Sequence, residues 1–195
     1  VSFDSPIDLA VEVNLMGPTR IARTLQDLQV APHLVAVSTC YVAGNRRGDA
    51  PEIRVDDSPF WISDIDWRRE VEGARRVRAD AEAASRLPDQ LATFMVAARK
   101  ELGGAGTPLL ATKSEQLRQE WVKAQLVDAG RARATSLGWP DAYAYTKALG
   151  EKALGENRGN VPVSVVRPAI IESAWAEPVP GWIRGFRMAE PVIIS

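Results

Sequence analysis

Two short apolar runs, far apart in the sequence, constrain the fold more than any other feature. The run HLVAVST spans residues 33–39 and the run VPVSVVRP spans 161–168, and both are rich in β-branched residues. Continuous apolar runs of this length are typical of strands buried on both faces of a parallel sheet. Parallel strands need a long crossover connection, and the intervening sequence has helical periodicity. The order therefore predicts an α/β fold with helices covering a parallel sheet.

Helical patterns fill most of the remaining sequence. Gly17-Pro18 is expected to bend the first predicted helix, and Gly103 is expected to end another. The stretch 44–59 predicts a loop because it is rich in polar residues, glycine and proline. Apolar residues recur at helical spacing in five segments, over about 7–29, 64–86, 88–104, 114–138 and 140–155.

Composition excludes several kinds of function. The 24 basic and 25 acidic side chains give a net charge of −1, which argues against a nucleic-acid-binding protein. His33 and Cys40 are the single histidine and cysteine, so we expect neither an internal disulfide nor a metal site. No apolar run approaches the ~20 residues of a membrane span, and no signal peptide is recognisable. We therefore expect a cytoplasmic protein.

A tyrosine and a lysine lie one helical turn apart in the segment DAYAYTKAL, residues 141–149. Residues i and i+4 share a helix face, so Tyr143 neighbours Lys147 while Tyr145 points elsewhere. A tyrosine beside an ammonium group can act as a proton donor, because the cation stabilises the phenolate. The same spacing also occurs on the polar edge of an ordinary amphipathic helix, and the pair alone does not decide between the two.

The predicted strand ends give this pair a context. The segment STCYVAG (38–44) leaves the first predicted strand, and RPAIIESAW (167–175) leaves the second. In parallel α/β sheets, ligands bind beyond the carboxyl ends of the strands. Both segments are therefore expected at the same edge of the sheet, where a binding site forms.

Four segments resemble, in this order, the extended short-chain dehydrogenase/reductase superfamily. They are Asn14-x-x-Gly17-Pro18 in a helix, VSTCYVAG (37–44), Tyr143-x-x-x-Lys147 with Thr146 before the lysine, and VSVVRPAII (163–171). The second segment is similar to the STAYVNG-type segment of fatty acyl-CoA reductases. The run VRPAIIESAWAEPVPGWIRGF (166–186) is similar to a tryptophan- and proline-containing run of the same reductases.

This resemblance implies a fold and an activity. The fold is a Rossmann-like, doubly wound parallel sheet with a helical insert, and the chain lacks the N-terminal strands and glycine-rich turn that bind the dinucleotide. The activity is NADPH-dependent reduction of long-chain fatty acyl-CoA to the aldehyde, the primary alcohol or both. The implied division is 1–63 for the central part of the Rossmann-like domain, 64–137 for the insert, and 138–195 for the catalytic helix, the next strand and the start of the substrate-binding region.

The resemblance also implies residue roles. Tyr143 would hydrogen-bond the carbonyl oxygen and supply a proton, and Lys147 would support the phenol and bind the nicotinamide ribose. Thr39 would donate a second hydrogen bond to that oxygen; it lies five residues before Gly44, and Ser38 remains the alternative. Around the cofactor, the implied contacts are Pro168, Ala169 and Ile170 beside the nicotinamide, with Asn14 connecting its helix to the site.

Other residues near these segments are expected to be structural. Trp175 and Trp182 are expected to pack in the core or within their loop rather than to contact substrate. Cys40 is expected to be a small buried residue, because the reduction needs no covalent intermediate.

Several alternatives concern the activity and its setting. A thioester reductase acting on carrier-protein-bound acyl chains shares the same side chains, and a non-catalytic module could use 64–137 to bind a partner. Peripheral membrane contact and homo-oligomer formation also remain open. Without the glycine-rich turn, the 195-residue chain by itself is expected to be inactive or nearly so.

Overall fold

Helices and one parallel pair of strands make up the part of the chain that the structure describes. The computed structural model describes residues 2–54, 65–171 and 173–183. The expected combination of helices with parallel strands is confirmed. The elements are α1 (Ile7–Ala10), a π-helical turn (Val11–Met16), α2 (Gly17–Asp27), β1 (Leu34–Val37), a 3-10 turn (Cys40–Ala43), α3 (Trp67–Ser85), α4 (Pro88–Leu102), α5 (Thr107–Leu137), α6 (Ala142–Asn157) and β2 (Val163–Val166).

The two strands lie inside the two apolar runs. They pair in parallel with Leu34 opposite Val163 and Val37 opposite Val166. The prediction that they are buried on both faces is wrong, because residues of β1 alternate between half-buried and exposed and Val37 is 60% exposed. The described helices leave the face that carries Val35 and Val37 uncovered, so only the opposite face is shielded.

The first helix changes its winding in the middle. Pro18 has no N–H group and cannot donate to the carbonyl of Asn14, four residues earlier. The turn before it widens into a π-helix, and the Thr19 hydroxyl donates to the Leu15 carbonyl at 2.9 Å. The irregularity expected at Gly17-Pro18 therefore takes the form of a π-helical turn that contains Asn14.

Helix α6 forms the centre of the core. Nine of its 16 residues are buried, and it packs against the π-helical turn at very short range. A Cβ atom placed on Gly150 would lie 2.3 Å from the Asn14 carbonyl oxygen. Glycine thus allows the two backbones to approach each other at a distance that no other residue permits.

Helices α3, α4 and α5 correspond to the helices predicted between residues 64 and 138. Helix α5 begins at Thr107 rather than near Ser114, because Pro108 in the first turn is suited to a helix start. Gly103 and Gly138 follow α4 and α5 with φ angles of 58° and 98°, as expected for glycine stop residues. The predicted loop over 44–59 extends beyond the described residues, and the predicted start at 64 lies outside them. No helix in the described ranges is long and apolar enough to cross a membrane.

A buried arginine connects α3 to α5. The Arg118 guanidinium donates to both Glu115 oxygens at 2.8 and 2.7 Å and to Glu82 Oε2 and Ser85 Oγ, each at 2.8 Å. Its charge is therefore matched although the side chain is only 7% exposed. These hydrogen bonds lower the pKa of Glu115 from 4.5 to about 2, and the pKa of Glu82 also falls.

The contact at Gly150 predicts a difference between two glycines of the same helix. Gly150→Ala should destabilise the fold by about 1–3 kcal/mol, because the added methyl group meets a backbone oxygen. Gly155→Ala is the matched control: its nearest neighbour would be Arg54 Nη2 at 3.4 Å, at the end of a side chain that can move. Alanine there should be neutral or stabilising by about 0.5–1 kcal/mol. Urea denaturation measures both, and equal stabilities would contradict the packing at Gly150.

The Arg118 cluster predicts a pH dependence of stability. A carboxyl group whose pKa is lower in the folded state stabilises the fold above its unfolded pKa, and this contribution is lost as the pH falls through the folded pKa. For Glu115 the window runs from 4.5 down to about 2. Glu115→Gln should lower the free energy of unfolding at neutral pH, with a difference from wild type that shrinks below pH 4.5. Urea denaturation across this range would contradict the account if the difference were constant.

Candidate functional site

The chain leaves β1 through two hydroxyl residues. Ser38 N donates to the Val166 carbonyl at 2.7 Å and Cys40 N to the Pro168 carbonyl at 3.1 Å, so backbone pairing continues past β1. Ser38 and Thr39 are 7% and 3% exposed and point to opposite sides, as neighbouring strand residues do. Thr39 Oγ1 accepts a hydrogen bond from Tyr41 N at 3.3 Å, which leaves its hydroxyl proton available. Ser38 Oγ has no partner among the described residues.

The 3-10 turn after Thr39 docks onto the segment that leads into α6. Trp139 is buried, and its indole N–H donates to the Val42 carbonyl at 2.9 Å. Asn45 N donates to the Gly138 carbonyl at 2.8 Å. Gly44 has a φ of 73°, and a Cβ there would lie 2.5 Å from the same carbonyl oxygen. These contacts hold the end of β1 against the start of α6.

Helix α6 carries Tyr143 and Lys147 to this strand end. Asp141 begins the helix, and its carboxylate accepts from Ala144 N at 2.8 Å. The Lys147 ammonium donates to the carbonyl of Val37, the last residue of β1, at 3.0 Å. Burial lowers the pKa of Lys147, and the negative charge of Glu151 opposes that shift. An ammonium group has three donors, so two remain for a ligand.

The two tyrosines of α6 have different environments. Tyr143 is half-buried, whereas Tyr145 is 1% exposed with its ring 5.5 Å from that of Trp139. Burial raises the pKa of Tyr145, and the nearby Glu70 carboxylate raises it further. The expectation that Tyr145 packs away from Tyr143 is confirmed.

An aromatic side chain connects Tyr143 to the strand end. The Phe3 ring meets the Tyr143 ring edge-on at 5.3 Å and the Tyr41 ring at 6.0 Å. Because Tyr41 follows Thr39 by two residues, Phe3 lies between Tyr143 and the segment that leaves β1. Nothing in the spacing of the sequence pointed to Phe3.

Asn14 contacts α6 directly. Its side-chain amide donates to Thr146 Oγ1 at 3.1 Å, and the Thr146 hydroxyl donates to the Ala142 carbonyl at 2.6 Å. Both side chains are buried. Asn14 thus holds the residue between Tyr145 and Lys147, and the connection needs no intervening water.

The end of β2 contributes a second set of residues to this edge. Pro168 is half-buried beside Cys40, while Ala169 and Ile170 are exposed. Arg167, just before them, forms two hydrogen bonds with the Glu151 carboxylate, at 3.0 and 2.5 Å. The spacing of the sequence did not predict this contact, because Arg167 and Glu151 lie in different segments of the chain.

Two structural expectations are wrong. Cys40 is exposed rather than buried, because the chain turns out of the sheet at this residue. Trp175 is 95% exposed and Trp182 is 46% exposed, so neither packs in the core. In the segment that contains both tryptophans, Ala174 N donates a hydrogen bond to the Trp182 carbonyl at 2.8 Å. This backbone hydrogen bond does not require the indole rings to be covered.

A cavity of about 950 Å³ adjoins the strand ends. It begins at Cys40 and Pro168 and follows β2 and the last turns of α6, past Leu154 and Gly155. The lining residues in the described ranges include Arg167 and Glu151 but neither Tyr143 nor Lys147. The cavity therefore meets the site at the strand ends, and the tyrosine lies outside it.

The arrangement combines hydrogen-bond donors that lack full partners. Thr39 has a free hydroxyl proton, the phenolic hydroxyl of Tyr143 makes no hydrogen bond among the described residues, and Lys147 uses one of three donors. Donors collected at one strand end can stabilise negative charge that develops on a carbonyl oxygen. The geometry therefore suits acid-assisted reduction of a carbonyl compound.

The comparisons with known proteins agree with this chemistry. The profile of the NAD-binding family described as "Male sterility protein" matches residues 1–195. The chain is 32% identical over 194 residues to fatty acyl-CoA reductase 2, chloroplastic, of Arabidopsis thaliana, covering 99% of this chain and 27% of that protein. It is 30% identical to fatty acyl-CoA reductase 8 of the same plant (100% and 34%) and 29% identical to the alcohol-forming fatty acyl-CoA reductase of Simmondsia chinensis (98% and 33%). The chain thus spans about a third of the length of these relatives.

The Asn14–Thr146 hydrogen bond gives a test of the site's framework. Thr146→Val should lower the free energy of unfolding by about 1–3 kcal/mol, because the buried Asn14 amide loses its acceptor. Thr146→Ser keeps the hydroxyl and should cost about 0.8 kcal/mol for the lost methyl group. Thermal or urea denaturation of both variants measures the difference. If valine were tolerated as well as serine, the hydrogen bond would not hold the two helices together.

Proposed function

Because the chain belongs to the Male sterility protein family, we propose that the protein is an NADPH-dependent reductase that converts long-chain fatty acyl-CoA to the fatty aldehyde and on to the primary alcohol. The observation that supports this proposal is the hydrogen bond from Lys147, one turn after Tyr143 on α6, to the carboxyl end of β1, directly before Ser38 and Thr39. The names of the similar reductases support the choice of substrate.

The described residues fit a nicotinamide cofactor. The two unused donors of Lys147 suit the hydroxyl groups of a ribose, and Pro168, Ala169 and Ile170 offer apolar surface at the same edge for the nicotinamide ring. Asn14 acts on Lys147 indirectly, because it hydrogen-bonds Thr146, the residue directly before Lys147. We infer NADPH rather than NADH from the resemblance to the reductases. When bound, the cofactor supplies one hydride in each reduction, so the two reductions consume two molecules of NADPH.

The proposed roles of the protein groups follow from their hydrogen bonds. As the carbonyl carbon is reduced, negative charge develops on its oxygen. The Thr39 hydroxyl donates a hydrogen bond to that oxygen. Tyr143 donates to the same oxygen and releases its phenolic proton when the aldehyde becomes the alcohol. The positive charge of Lys147, one turn away, stabilises the phenolate that remains until a solvent proton replaces the lost one. In the first reduction the carbon–sulfur bond then breaks, coenzyme A leaves as its thiolate, and a proton from solvent converts the thiolate to the thiol.

We propose the fold and setting by the same resemblance. The β1–β2 pair is part of a Rossmann-like, doubly wound sheet, in which 1–63 form the central part of the domain, 64–137 form a helical insert, and 138–195 contribute the helix with Tyr143 and Lys147, the next strand and the start of the substrate-binding region. The enzyme acts in the cytoplasm, and exposed apolar side chains on the insert, such as Leu91, Val96 and Leu109, provide a surface for peripheral contact with a membrane. Sedimentation with phospholipid vesicles tests this contact, and a protein that stays in the supernatant contradicts it.

Two tyrosines of α6 provide a matched test of the activity. In the full-length protein, Tyr143→Phe should lower kcat/KM for palmitoyl-CoA by about 10²–10⁴, because the proton donor is lost. Tyr145→Phe removes a buried hydroxyl near the Glu70 carboxylate, and its activity should stay within about twofold of wild type because it contacts no reacting group. NADPH oxidation followed by absorbance measures both. Equal activities would contradict the role of Tyr143, and a wild-type protein that reduces acyl-carrier protein but not acyl-CoA would indicate the thioester reductase instead.

The neighbouring hydroxyls give a second comparison in the same assay. Thr39→Val should lower kcat by about 10²–10³, as loss of one oxyanion donor does. Ser38→Ala removes a hydroxyl without a partner among the described residues and should have little effect. The reverse order of effects would assign the role to Ser38.

A further inference from the structure

The ion pair between Arg167 and Glu151 lies immediately beside the proposed site. Its two parallel hydrogen bonds, at 3.0 and 2.5 Å, give the geometry in which a guanidinium group binds a carboxylate most strongly. The Glu151 side chain is 7% exposed and that of Arg167 is 23% exposed. The pair is therefore shielded from solvent and differs from the exposed ion pairs on the surface of the helices.

The pair completes a ring of contacts around Lys147. Lys147 Nζ donates to the Val37 carbonyl, and the next residue, Ser38, donates its N–H to the Val166 carbonyl of β2. Arg167 follows Val166 and returns to α6 at Glu151, one turn from Lys147. Each of the three elements is thus joined to the other two. The ring sets the distance between the Lys147 ammonium and the strand end.

Arg167 also keeps the Glu151 carboxylate from pairing with the lysine. Glu151 follows Lys147 by four residues, a spacing at which opposite charges on a helix meet. In the structure both Glu151 oxygens are bound by Arg167, and the Lys147 ammonium binds the Val37 carbonyl instead. Without the guanidinium group, the shielded carboxylate, whose charge already acts on Lys147, would attract the ammonium group and draw it away from β1.

We propose that the Arg167–Glu151 pair is a positioning element that holds the Lys147 ammonium at the end of β1, where it can bind the cofactor ribose. This role rests on the proposed function of Lys147. Arg167 and Glu151 act through Lys147 and need not touch the cofactor or the substrate. The guanidinium group has two tasks in this arrangement. It connects the end of β2 to α6, and it binds both oxygens of the Glu151 carboxylate so that they do not pair with Lys147.

The two tasks can be separated by adding a second substitution. Arg167→Met in the full-length protein should raise the Kd for NADPH about tenfold, measured by the change in NADPH fluorescence on binding. Adding Glu151→Gln to that variant removes the competing carboxylate, and the Kd should return to within about threefold of wild type. Arg167→Lys keeps the charge but loses the two-pronged geometry, and a Kd about threefold above wild type is expected. Thermal unfolding of each variant checks that the fold is retained.

Each outcome bears on one of the two claims. If Arg167→Met binds NADPH as tightly as wild type, or if the double variant binds as weakly as the single one, the positioning role is wrong. Should Arg167→Met fail to fold, Arg167→Lys decides, and a wild-type Kd in that variant overturns the proposal. A wild-type protein that binds no NADPH contradicts the proposed function itself, which separates the two failures.

Discussion

The close approach of α6 to the π-helical turn is the constraint on which the rest of the structure depends. Gly150 lets the α6 backbone reach the Asn14 carbonyl, and that proximity brings the Asn14 amide to Thr146. Thr146 lies directly before Lys147, so the same contact sets the rotation of the helix. With α6 in this rotation, Tyr145 enters the core, Lys147 reaches the end of β1 and Tyr143 contacts Phe3. A chemical site therefore follows from a packing contact between two backbones.

Burial and ion pairing determine the charges at the site. Lys147 is partly buried, which lowers its pKa, and Glu151 is the carboxylate that opposes this shift. The bidentate bond to Arg167 holds that carboxylate, so the ammonium binds a backbone carbonyl and retains two donors for a ligand. A lysine in a simple ion pair with Glu151 would have lower affinity for a ribose. The segment after β2 thus contributes to the site through Arg167 as well as through the apolar residues that follow it.

The sequence allowed prediction of the parts that depend on local spacing. Both strands, the helices and the division between Tyr143 and Tyr145 follow from periodicity, and the strand ends follow from the parallel order. The π-helical turn was not predicted, because the sequence indicated only a bend at Gly17-Pro18. Burial of the strands was overestimated, since an apolar run does not reveal which face its neighbours cover. Trp139 and Phe3 were missed because their contacts join residues far apart in sequence, and no periodic pattern encodes such contacts.

The central claim is that Lys147 holds the end of β1 and the nicotinamide ribose at the same time. A crystal structure of the full-length protein with NADP⁺ tests it most directly. The account predicts that Lys147 Nζ keeps its hydrogen bond to the Val37 carbonyl and that a ribose hydroxyl lies within hydrogen-bonding distance of the same ammonium group, with the Tyr143 hydroxyl beside the nicotinamide. A structure in which the ribose binds elsewhere, or in which Lys147 leaves Val37 to pair with Glu151, would contradict it.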